Sequence, residues 1–85
     1  MNIQLRFFAS MREKLGTAQE AVGVPPEVRT VGELRAWLRR RGNPWEEVLA
    51  EGRAVRMALD QTMCDGGAVL KDGCEVAFFP PVTGG

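Results

Sequence analysis

The residues best placed to do chemistry in this chain stand at its end, Phe78-Phe79-Pro80-Pro81-Val82-Thr83-Gly84-Gly85. The group of interest is the α-carboxylate of Gly85, ionised at neutral pH as such carboxyls are. A carboxylate is a poor electrophile. It becomes an acyl donor only after conversion to a species with a good leaving group, such as an acyl-adenylate made with ATP. The residues around it suit that use. Gly84 and Gly85 carry no side chains, so the tip is thin and able to enter a narrow channel. Pro80 and Pro81 lack N–H donors and fix their own φ, so they end any sheet ladder. Each also drives the residue before it into extended conformations. The tail is therefore expected to project as a stiff spacer, Pro80 to Thr83, with a flexible glycine tip. Fully extended, the stretch from Pro80 to Gly85 reaches at most roughly 20 Å, enough to enter a buried pocket.

The rest of the chain lacks the other common chemistries. There is no histidine, and the two cysteines, Cys64 and Cys74, are too far apart for a CxxC pair. A zinc site of the usual ligands and a histidine-based triad are thus both absent from the expectation. A reducing compartment disfavours a Cys64–Cys74 disulfide, and free cysteines usually behave as small buried apolar residues. Eleven basic and eleven acidic residues cancel, which argues against a domain built to neutralise nucleic-acid phosphates. No apolar run approaches bilayer-spanning length. Met1-Asn2-Ile3-Gln4-Leu5-Arg6 lacks the features of a signal peptide. The expected compartment is the cytoplasm, with neither membrane nor nucleic acid as partner.

A resemblance gives the tail a specific meaning. Glu75-Val76-Ala77-Phe78-Phe79-Pro80-Pro81-Val82-Thr83-Gly84-Gly85 resembles, nearly residue for residue, the end of the molybdopterin synthase small subunits, a family of ubiquitin-like sulfur carriers. Lys71-Asp72-Gly73 is similar to the family's turn before the last strand. Phe7-Phe8-Ala9-Ser10-Met11-Arg12-Glu13, followed by Gly16, is similar to its first strand and helix. The middle, Pro25 to Gly52, is generic. The resemblance implies that Gly85 is adenylated and converted to a thiocarboxylate, with Gly84 giving clearance. It implies delivery of that sulfur to cyclic pyranopterin phosphate, building the molybdopterin dithiolene. The chain would be a sulfur-donating subunit with no catalysis of its own and no tightly bound cofactor. A large synthase subunit would supply the catalytic pocket. A ubiquitin-activator-like enzyme would use ATP to charge the tail, and a sulfurtransferase would supply sulfur. A carrier for thiamine or cysteine synthesis, a protein modifier that joins lysines, and an interaction module with an idle tail remain open beside it.

The elements that must position the tail can be read from periodicity. Ile3, Leu5 and Phe7 alternate with Gln4, Arg6 and Phe8 as in a half-buried strand. Ser10-Met11-Arg12-Glu13 fits a capping box for a short helix closed by Gly16. Ala18 to Val24 reads as a second strand. Thr30-Val31-Gly32-Glu33 is another capping box, opening a helix with Val31, Leu34 and Leu38 on one face and its end near Gly42. Asn43-Pro44-Trp45-Glu46 reads as a helix start with Asn43 at the cap. Val55, Met57 and Leu59 mark a strand, and Gly66-Gly67 and Asp72-Gly73 mark turns. Cys74, Val76 and Phe78 then alternate with Glu75, Ala77 and Phe79.

This order suits a small α+β domain, one sheet packed on one main helix. Residues 1–79 are expected to form the domain and 80–85 the tail. The resemblance sharpens the fold to the β-grasp, with the first and last strands parallel at the sheet centre. Ile3, Leu5, Phe7, Val55, Met57, Leu59, Val76 and Phe78 are expected in the core. The other face is polar except for Phe8, Ala77 and Phe79, and two aromatic residues there point to a partner patch. Met63, placed just beyond its strand, joins them, and Pro80, Pro81, Val82 and Thr83 extend the contact. Arg35, Arg39, Arg40 and Arg41 read as a solvated face complementing a helix dipole. Trp37 and Trp45 read as core-edge residues.

Overall fold

The computed structural model describes residues 1–81. The expectations for Val82, Thr83, Gly84 and Gly85, and with them the division into domain and tail, lie outside the described residues. In chain order the elements are β1 (Asn2–Phe7), α1 (Ala9–Leu15), β2 (Gln19–Gly23), α2 (Val31–Arg39), α3 (Trp45–Val48), β3 (Arg56–Leu59), β4 (Thr62–Cys64) and β5 (Glu75–Phe79). The strands form one sheet of five in the order β2-β1-β5-β3-β4. β5 runs parallel to β1 and antiparallel to β3; both outer pairs are antiparallel. This is the β-grasp arrangement, with the last strand at the centre.

Alternation along the strands decides which face is buried. Ile3, Leu5, Phe7, Val76 and Phe78 are almost completely enclosed against Val31, Leu34 and Leu38 of α2. Phe7 and Phe78, partners in the β1–β5 register, stack with centroids 6.0 Å apart, and Trp45 meets Phe7 edge-on at 5.4 Å. Val55, Met57 and Leu59 are only partly buried, packed at the rim of this core. β3 and β4 join through Asp60 and Gln61, both at positive φ. That is the two-residue turn whose twist matches antiparallel strands. Met63 therefore lies on a strand, β4, opposite Ala58, and not beyond one.

Helix starts differ from expectation in two of three cases. α2 begins as read: Thr30 accepts from the Glu33 amide and Glu33 reaches back to the Thr30 amide. Its other exposed donors are met by a returning loop, Val31 N–H donating to the Ala68 carbonyl and Gly32 N–H to that of Gly66. In α1 the cap is Phe8, not Ser10, with no side-chain cap bond. The cause is continuity with the sheet. The Phe8 amide still bonds to Phe78, while its carbonyl already accepts from Met11, so Ser10 is inside the helix. Gly16 closes α1 in the left-handed conformation, as expected. In α3 the cap is Pro44 and Asn43 makes no cap bond, because the Gly42 carbonyl accepts from the Glu46 amide.

Arg35 is not a solvated helix residue. Its Nε donates to the Leu49 carbonyl at 2.7 Å and its Nη2 to those of Ala50 and Arg53 at 2.6 and 3.2 Å. Burial pushes its pKa below the ordinary guanidinium value, yet a guanidinium stays charged and can serve several carbonyls at once. Arg41 likewise binds Glu20 of β2 through both nitrogens and lies over the Trp45 ring at 4.5 Å. The Arg41 hydrogen bond holds the Glu20 carboxyl below its ordinary value, against a smaller opposing effect of burial.

Two tests follow from the α2 start. A Cβ on Gly32 would lie 3.0 Å from the Gly66 carbonyl oxygen. Gly32→Ala gains up to about 1 kcal/mol in helix propensity, but overpacking against fixed backbone costs about 1–3 kcal/mol. The expected result is a melting temperature lowered by several degrees, with Gly66→Ala, whose nearest contact is 3.4 Å, closer to wild type. The Glu33 carboxyl is held below 4.5, first by the Arg29 amide and then by Thr30. Its folded state binds protons less readily than its unfolded state, so its stabilisation is present above the unfolded pKa. It is lost as pH falls through the folded one. The stability gap between wild type and Glu33→Gln should therefore shrink between about pH 6 and about pH 3; a constant gap in urea titrations would contradict this.

Candidate functional site

The described part of the site is the root of the tail. β5 is gripped on both sides, by β1 through Phe7↔Phe78 and by β3 through Arg56↔Phe79. Its ladder ends at Phe79, and Pro80 and Pro81 follow, as their missing donors require. A strand fixed along both edges sets where Pro80 and Pro81 leave the sheet. The start of β5 is equally fixed: Asp60 Oδ1 accepts from the Glu75 amide, and the Asp60 amide donates to the Glu75 carbonyl, both at 2.9 Å.

Phe8 and Phe79 meet on the outer face, edge to face, with ring centroids 6.3 Å apart. Phe8 is 42% exposed, while Phe79 is only partly so. Phe79 is therefore less available than the alternation suggested, because Phe8 leans against it. Met63, 52% exposed, is placed on the same face two strands from β1's neighbour, across Ala58 and Ala77. Those two alanines are buried despite facing outward. Small side chains in the middle strands thus floor a shallow apolar surface, which Phe8, Phe79 and Met63 border.

Cations also belong to this face and were not singled out from the sequence. Arg6 lies 5.7 Å from the centre of the Phe8 ring and 3.5 Å from Glu75. Arg56 stands opposite Phe79 in the ladder. The signal was available: Arg6 shares the alternation that put Phe8 outward. The cysteines do not form a site. Cys74 is buried, Cys64 is partly buried, and both are free thiols. Burial, and then Asp65, push the Cys64 thiol above its ordinary pKa, the opposite of what a reactive thiolate needs. Among the described residues no group of His, Cys, Asp and Glu could hold a metal ion, and no helix is long and apolar enough to cross a membrane.

Comparison with known proteins places this geometry. A family model described as the ThiS family matches residues 5–85. The chain belongs to the ThiS family. It is 41% identical over 83 residues to the molybdopterin synthase sulfur carrier subunit of Escherichia coli (strain K12), covering 98% of this chain and 99% of that protein. Among solved structures it is similar to SAMP1 from Haloferax volcanii, with a TM-score of 0.76, 26% identity and full coverage of both chains. It is also similar to a chain in the complex of subunits 1 and 2 of the molybdopterin-converting factor from Helicobacter pylori 26695. That match has a TM-score of 0.68, 27% identity and full coverage of both. Over its described residues this ThiS-family chain thus has the ubiquitin-like β-grasp fold of these relatives.

The two adjacent phenylalanines should separate cleanly by experiment. Phe78 has no solvent exposure, and truncating such a residue to Ala costs about 3–5 kcal/mol of stability. Phe79→Ala is expected to cost clearly less in a thermal melt. A larger loss for Phe79→Ala than for Phe78→Ala would invert the assignment of faces.

Proposed function

We propose that this chain is the sulfur carrier of a molybdopterin synthase. The single observation that carries this is its full-length similarity to a protein of that name, joined to a Gly-Gly end that follows a doubly paired central strand. The chemistry begins at Gly85. One carboxylate oxygen attacks the α-phosphorus of ATP on an activating enzyme, and pyrophosphate leaves. A sulfide equivalent from a sulfurtransferase then attacks the acyl carbon. AMP departs with one original carboxylate oxygen, leaving a thiocarboxylate. That group is anionic at neutral pH and nucleophilic like other thiolates. In the large synthase subunit its sulfur bonds to cyclic pyranopterin phosphate, and water then cleaves the resulting thioester at the acyl C–S bond, leaving the sulfur on the pterin and a carboxylate at Gly85.

The chain's own part is positioning. Phe8, Phe79 and Met63 provide the apolar docking face, Pro80 to Thr83 the spacer, and Gly84 the clearance. The chain performs no catalysis alone and needs no tightly bound cofactor; ATP is consumed by the activating enzyme. The similarity to a converting-factor subunit solved with its second subunit supports a large-subunit partner. The cytoplasm is the compartment in which these partners would meet.

Incubation with the activating enzyme, ATP and a sulfur source should raise the intact mass by one oxygen-to-sulfur exchange. Fragmentation should place the change at Gly85. Sulfur recovered as a persulfide on Cys64 or Cys74 would refute the mechanism. Deleting Gly85 should abolish transfer without lowering the melting temperature. Phe8→Glu should weaken binding to the large subunit by more than about 1 kcal/mol, as loss of an interface anchor does, while leaving the fold intact.

A further inference from the structure

The tail root has a second side. Where Phe8 and Phe79 stand on the outer face, Pro80 forms a wall of a small cleft of about 70 Å³ beside α1 and α3. Met11, Val48 and Val55 give it apolar walls, and Ser10, Lys14 and Arg53 give it polar ones. Arg53 is held in place twice: its guanidinium binds Glu47 at 3.0 Å, and its carbonyl is one of the three that Arg35 grips. Lys14 makes no ion pair among the described residues.

We propose that this cleft seats the carboxylate side chain of an acidic residue on the protein that receives the tail. This rests on the functional reading above and adds a second contact on the opposite side of the tail root. Charge favours that occupant. The chain is neutral as a whole, yet the cleft is lined by Lys14 and Arg53 and by no carboxylate, and Glu47 pairs with Arg53 alone among the described ion pairs. Size agrees. A cleft of about 70 Å³ suits the tip of one side chain and no nucleotide. Met11, Val48 and Val55 would shield the incoming carboxylate from water, which strengthens its attraction to Lys14 and Arg53. Aromatic docking on one side and a charge pair on the other would fix the direction in which the tail leaves the domain. A partner lacking a carboxylate at that point would leave Lys14 unmatched, so the cleft would also select between tail-binding proteins.

The test uses the full chain titrated with the large synthase subunit. Lys14→Glu should weaken binding at least tenfold at low salt, and the loss should shrink as salt approaches about 1 M, where screening acts within about 3 Å. Lys14→Arg should bind like wild type, and so should the control Lys71→Glu, which is exposed. Ser10→Leu, filling the cleft without changing charge, should weaken binding at every salt concentration; Ala54→Leu replaces it if that variant melts early. Binding by Lys14→Glu within twofold of wild type would overturn the proposal. So would weakening by Lys14→Glu with no effect of either filling variant, which would mean long-range steering with nothing seated. No binding by wild type would overturn the functional reading, and this proposal with it.

Discussion

The structure depends on the parallel pairing of β1 with β5. In sequence these strands lie at opposite ends, yet Leu5 faces Val76 and Phe7 faces Phe78 across their ladder. A parallel pair cannot be joined by a tight turn, so everything between must cross over the sheet. Here α2 makes that crossing and covers the inner face with Val31, Leu34 and Leu38. The pairing also sets the tail. Because Phe7 and Phe78 are in register and stacked, Phe8 and Phe79 are brought together on the other face. One register thus fixes both the largest side chains of the core and the outer surface beside the tail.

Charged side chains complete what apolar burial leaves unfinished. The stretch from Leu49 to Ala54 contains no regular element except the end of the α3 turn, so its carbonyls lack ladder partners. Arg35 takes three of them, joining this stretch to α2. Arg41 does similar work between the α2–α3 connection and the outermost strand β2, through Glu20. An exposed ion pair of ordinary kind contributes little. The fork of Arg41, with both nitrogens engaged and an indole beneath it, is better defined than that.

How much of this was legible in the sequence follows from which forces are local. Strand faces and the buried stripe of α2 were readable because they repeat at fixed spacing. The Thr30–Glu33 cap was readable because both partners lie within one turn. The end of β5 was readable because a proline pair admits no other outcome. The Ser10 cap failed because a nonlocal bond, Phe8 to Phe78, carries the strand straight into the helix. Arg35 was misassigned because its acceptors are backbone atoms, which leave no mark in composition. β4 was missed because three residues are too few for alternation to register. Pattern alone could not have chosen the strand order; the resemblance supplied it. The tail's chemistry rests on residue types and order, and the cleft behind Pro80 became visible only when α1, α3 and the residues before β3 were set side by side.

The central position of β5 has a consequence for synthesis. A ribosome releases this strand last, after all its neighbours in the sheet. Until then β1 and β3 have no common partner, and Ile3, Leu5 and Phe7 lack the strand that closes the core over them. An incomplete chain can therefore neither finish its sheet nor display the residues that follow it. Closing the core and presenting Pro80 and Pro81 beyond β5 become a single event.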